Sequence, residues 1–81
     1  MMLEIGLNPL GPNRSEITLG DTVILVSYKT PVAALIPGKG WVRSEKKWSV
    51  TTSRHVNAWL PDDAVVTEVP QDVLDALMEV E

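Results

Sequence analysis

Residues 22–46 read TVILVSYKTPVAALIPGKGWVRSEK (Thr22–Lys46), and the punctuation of this stretch decides the fold. Thr22 to Tyr28 is rich in β-branched residues and apolar on both faces, the pattern of a central strand covered on two sides. Pro31 has no backbone donor and restricts Thr30, so 29–31 is either a tight turn or a bulge inside one long bent strand. Val32 to Ile36 is a second apolar strand, closed by Pro37-Gly38-Lys39-Gly40. That tetrapeptide is a strong turn signal and predicts a returning strand from Trp41 to about Lys46, hence a hairpin over 32–46.

Working outward, Leu3, Ile5 and Leu7 alternate with Glu4 and Gly6, which predicts a short strand with one buried face. Residues 8–16 hold Pro9, Gly11, Pro12 and Asn13 and read as a loop. On the other side, the Thr51-Thr52 pair offers hydroxyl caps to a helix over about 52–60, whose Val56, Trp59 and Leu60 fall on one side before Pro61 stops it. Alternation within Ala64 to Val69 predicts another strand. A second helix over about 70–80 follows Pro70, with Val73, Leu74, Leu77 and Met78 forming an apolar stripe and Asp72, Asp75 and Glu79 a wet side. The expected fold is one α+β domain spanning 1–81, a mostly antiparallel sheet of four or five strands with two short helices on one face.

Its 81 residues make a chain near the lower end of what one hydrophobic core stabilises. With no cysteine, a disulfide framework, a thiolate nucleophile and a cysteine-ligated zinc are excluded. The apolar runs Val23–Val26 and Val32–Ile36 are far shorter than a membrane-spanning helix requires, and the N-terminus lacks a signal-peptide pattern, so the expected compartment is the cytoplasm. Charge is split along the chain. Six of the seven basic residues, Lys29, Lys39, Arg43, Lys46, Lys47 and Arg54, fall between Lys29 and His55 against one acid, Glu45. The segment 62–81 carries seven acids and no base. Tyr28, Trp41 and Trp48 interleave with the cations, which nominates a binding surface that also includes Thr51, His55 and Asn57.

On the first helix Thr51, His55 and Trp59 stack along one side. His55, Arg54, the neighbouring hydroxyls and Asn57 therefore form a cluster of donors suited to phosphate or carboxylate, against the plainer reading in which the threonines cap and Val56 and Trp59 enter the core. The inventory for catalysis is poor. There is one histidine and no phosphate loop, metal-ligand spacing or paired catalytic carboxylates, so no enzyme activity, metal or cofactor is expected. Asp62-Asp63 reads as an exposed loop rather than a cation site.

The block S-Y-K-T-P-V-A-A at Ser27–Ala34, followed by K-K-W-S-V-T-T-S-R-H-V-N-A-W-L at Lys46–Leu60, resembles a family of small uncharacterised proteins of phages, plasmids and related mobile elements. Those proteins share a similar S-Y-x-T-P-V-A block, a turn and a W-S-x-T-T-x-x-H-x-N-x-W-L block, and the likeness covers about two fifths of the chain. The family carries no assigned activity, so the resemblance implies a genomic setting and directs attention to Tyr28, Thr30, Trp48, Ser49, Thr51, Thr52, His55, Asn57 and Trp59.

The expected function is a non-enzymatic accessory protein of a mobile element that engages a host or phage protein complex through the second hairpin and the helix at 52–60. One form is inhibition of a host defence complex in the manner of anti-CRISPR proteins, with the acidic face of Asp72, Asp75 and Glu79 offered to a basic groove. The first alternative is direct nucleic-acid binding by the basic and aromatic face over 28–55; the second is a small hydrolase built around His55. Self-association into a homodimer is compatible with the opposed charges. No membrane partner is expected.

Overall fold

The computed structural model of the chain describes residues 5–78. Six strands form one sheet in sequence order: β1 (Ile5–Gly11), β2 (Arg14–Leu19), β3 (Thr22–Ser27), β4 (Thr30–Ile36), β5 (Gly40–Ser44) and β6 (Val66–Val69). The first five make an antiparallel meander, and α1 (Val50–Trp59) carries the chain back so that β6 lies parallel to β5. A parallel neighbour requires such a crossover, because a tight turn reverses direction. The second helix, α2, spans Gln71–Leu77. The α+β class and the 32–46 hairpin follow the sequence reading, with one more strand than its upper count.

The additional strand comes from residues 8–16, which are not a loop but the tip of a hairpin. β1 extends to Gly11, and Pro12-Asn13 turn the chain into β2, with Asn13 at φ 62°. Pro9 is tolerated there because β1 is an edge strand. Edge position also leaves Ile5 and Leu7 exposed, contrary to the buried face their alternation predicts. At 29–31 the structure contains both features that the sequence left as alternatives. Tyr28-Lys29 is a two-residue turn joining the Ser27–Thr30 pair, and the register shifts between Leu25–Ala33 and Val26–Pro31, leaving Val32 as the extra residue of a bulge.

The helices sit on opposite faces of the sheet rather than on one. Leu25, Val32, Ala33 and Val56 pack together on the α1 side, with Trp48, Trp59 and Leu60 closing the edge. Ile24, Val26, Ala34, Val42 and Leu74 pack on the α2 side. Because successive strand residues alternate faces, the continuous apolar run 23–26 feeds both cores at once. The bulge turns Val32 and Ala33 to the same side, widening the platform under α1. Fully burying side chains such as Ile24, Leu25 and Leu74 contributes roughly 1.5–3 kcal/mol each.

Local chemistry fixes the helix ends. Ser49, not the Thr51-Thr52 pair, is the N-cap of α1, and its Oγ accepts from the Thr52 backbone N–H at 3.3 Å. Pro70 occupies the N-cap position of α2, and the Gln71 side-chain amide donates to the Pro31 carbonyl at 2.8 Å, tying α2 to β4. Among the described residues no helix is long and apolar enough to cross a membrane.

Candidate functional site

The end of β3 is bonded to α1 through three polar side chains. Ser27 is 2% exposed, and its Oγ lies 3.1 Å from Thr52 Oγ1 and 2.9 Å from His55 Nδ1. The next residue, Tyr28, sits at φ 58°, the first position of a two-residue turn; in the preceding hairpin Gly20 holds the same position at φ 61°. A side chain in this left-handed conformation costs about 1–2 kcal/mol that glycine avoids. That conformation goes with a ring held 6.3 Å from the His55 imidazole and a backbone N–H donating to the Asn13 carbonyl, which joins the β3–β4 turn to the β1–β2 turn. A hydroxyl-rich hollow of about 270 Å³ opens beside this network, lined by Ser27, Tyr28, Thr30, Ser49 and Thr52 with Val32 and Trp48.

α1 divides the basic window into two parts. On one side a cleft of about 490 Å³ runs between α1 and strands β4–β6. Arg43, Lys46, Lys47, Trp48 and Asn57 line it, as do Glu45, Glu68, Ser44 and Ser53, over a floor of Val32 and Val56. Arg43 is paired with Glu68 at 3.1 Å, and Lys46 Nζ lies 5.2 Å from the Trp48 ring centroid. Both partners of the ion pair are substantially exposed, so the bridge orients side chains more than it stabilises the fold, contributing at most about 1 kcal/mol. The Lys46 backbone N–H donates to Ser44 Oγ at 3.1 Å, which shapes the loop that forms the cleft's rim.

On the other side of α1 a hollow of about 360 Å³ is lined by Thr51, Arg54 and His55 together with Pro12, Asn13 and Arg14 of the β1–β2 turn. The cluster of Arg54, His55 and Asn57 expected from sequence is therefore split, because Asn57 faces the cleft. Trp41 packs edge-on against Trp59, ring centroids 5.2 Å apart, and Trp59 Nε1 donates to Glu16 at 2.8 Å. Lys39 is exposed in the β4–β5 turn, apart from both clusters. Asp72 and Asp75 are exposed on α2, on the opposite sheet face, and Glu79 lies outside the described residues.

Cations and acids separate only in part. The α2 acids Asp72 and Asp75 belong to the helix on the sheet face opposite α1, but Glu45 and Glu68 enter the cleft among the bases that line it. Sequence reasoning also missed Ser27, Arg14 and Glu68 as site residues. Ser27 is the first polar residue after an apolar run, Arg14 is the single base outside the window, and Glu68 arrives through a parallel pairing that places it opposite Arg43.

Residues 5–76 match the model of DUF8033, a family of unknown function. The chain belongs to the DUF8033 family. No curated protein and no solved structure matches it. The DUF8033 match takes in all six strands, α1 and most of α2, so the cleft, the hydroxyl-rich hollow and the cationic hollow lie within the DUF8033 region.

Proposed function

We propose that this protein is a non-enzymatic binding module whose cleft between α1 and β5–β6 receives a segment of a partner protein. The observation that carries the reading is the composition of the cleft: three cations and two carboxylates surround an apolar floor and a half-buried tryptophan. Mixed charge over apolar surface suits the varied side chains of a polypeptide, and Trp and Arg are the residues most often found at protein hot spots. A polyanion is served less well, because Arg43 is already paired with Glu68 and Glu45 stands beside Lys46 and Lys47. The hydrolase reading has the Ser27–His55 contact in its favour. Against it, Ser27 is buried and no carboxylate is hydrogen-bonded to His55 among the described residues.

The resemblance to mobile-element proteins supplies the setting: a phage or plasmid product acting in the cytoplasm of its host, with inhibition of a host defence complex as one form of the activity. The cleft is tested by Asn57→Arg, which places a long charged side chain in its wall from an exposed position. The complex recovered with the wild-type chain from its native host is expected to weaken at least about tenfold, the order of one lost hot-spot contact, at an unchanged melting temperature. Undiminished recovery of the same complex by a folded Asn57→Arg chain would remove the cleft from the interface.

A further inference from the structure

We infer that the hollow between the β1–β2 turn and α1 binds a single phosphate group, free or as the terminal monoester of a small molecule. This inference is independent of the partner cleft, which lies on the other side of α1. Every charged or titratable group lining the hollow is a base: Arg14, Arg54 and His55, joined by the Asn13 amide and the Thr51 hydroxyl. No acid lines it, and among the described residues neither arginine is in an ion pair, the salt bridge being Arg43–Glu68. The nearby Glu16 carboxylate is engaged by the Trp59 indole N–H at 2.8 Å. Two guanidinium groups and an imidazole lining one hollow suit a phosphate, whose oxygens accept charge-assisted hydrogen bonds from fork-shaped donors.

The hollow is also built by the fold. Arg14 lies across Gly11, where an added Cβ would stand 3.1 Å from Nε and 3.4 Å from one terminal nitrogen, so the absence of a side chain at Gly11 gives the guanidinium room against the turn. The turn itself is held by the Tyr28 N–H donating to the Asn13 carbonyl. The His55 Nδ1 is occupied by Ser27, which leaves Nε2 as the nitrogen free to meet a ligand. When Ser27 donates to Nδ1, the neutral ring carries its proton on Nε2, the form that can donate to an anion. One phosphate, rather than a nucleic-acid strand, fits a spot of two guanidinium groups and one imidazole with no Trp, Tyr or Phe among its lining residues.

The test is a titration of the isotope-labelled full chain with inorganic phosphate at low ionic strength, followed by amide and imidazole resonances, with adenosine monophosphate and adenosine run in parallel. Saturable shifts at Asn13, Arg14, Thr51, Arg54 and His55 are expected. Arg14→Gln and Arg54→Gln should each weaken binding about tenfold, the loss of one charged hydrogen bond. Lys46→Gln/Lys47→Gln, on the far side of α1, should leave it unchanged. Tighter binding of the monophosphate than of free phosphate identifies a phosphorylated small molecule, equal affinity identifies phosphate itself, and either supports the site. Absence of saturable shifts, equal binding of unphosphorylated adenosine, or equal weakening by the lysine variant would overturn it. Arg54 is exposed, so Arg54→Gln keeps the test decisive even where Arg14→Gln perturbs the hairpin.

Discussion

Leu74→Ala is expected to lower the unfolding free energy by about 2–5 kcal/mol, the range for truncating a fully buried leucine. Leu74 is the one fully buried side chain of α2 and packs against Ile24, Val26, Ala34 and Val42, while Leu77 and Met78 cover only the margin. Seven residues are too few to hold a helix by themselves, so docking of this leucine determines whether α2 forms. A domain of this size has total stability near the low end of about 5–15 kcal/mol, and the variant should be largely unfolded at moderate urea. Val65→Ala, at an 87% exposed position, is the control and should stay within about 0.5 kcal/mol of the parent. Denaturation midpoints measured by circular dichroism decide the matter. A Leu74→Ala midpoint equal to the control would mean that α2 is not seated on the sheet as described.

The second large effect falls on the buried hydroxyls. Ser27→Ala removes the common partner of Thr52 Oγ1 and His55 Nδ1, and leaving buried polar groups unpaired costs about 1–3 kcal/mol. Adding Thr52→Val to Ser27→Ala should cost less than the sum of the two single changes, because the double variant no longer buries an orphaned threonine hydroxyl. Strict additivity across this cycle would show that the hydroxyls do not share a bond. The network matters beyond stability because it fixes the position of His55 in the wall of the hollow it shares with Arg14 and Arg54.

How much of this was legible in the sequence follows the range of the interactions involved. The 32–46 hairpin is written into Pro37-Gly38-Lys39-Gly40, and α1 into the spacing of Val56, Trp59 and Leu60 and the stop at Pro61, all local signals. The run at 23–26 already carried residues for two faces, but which helix takes which face depends on the crossover from β5 to β6, and no short stretch encodes it. Residues 8–16 look like a loop because Pro9, Gly11, Pro12 and Asn13 are turn formers; pairing with β3 through Ile17–Ile24 and Ser15–Val26 overrides that tendency in β2.

The candidate site divides in the same way. Of the bases clustered between Lys29 and His55, the structure gathers Arg43, Lys46, Lys47 and Arg54, with His55, around α1. Proximity in sequence did not show that a helix would stand between them. Arg43 meets Glu68, 25 positions away, only because β6 returns parallel to β5. Arg14 joins Arg54 only because the β1–β2 turn reaches the side of α1. The expected separation of charge holds in that Asp72 and Asp75 lie on α2, across the sheet from α1, and fails at Glu68, which joins Glu45 among the bases of the cleft and is the reason for proposing a polypeptide rather than a polyanion there.

Where the proposed partner touches is most directly measured with a short-range photo-crosslinking amino acid placed in turn at Asn57 in the cleft and at Asp72 on the opposite face, each probed in whatever complex is captured from the native host. The cleft account predicts a covalent adduct to the partner from position 57 and none from position 72. An adduct from position 72 alone would contradict it and move the interface to the acidic helix.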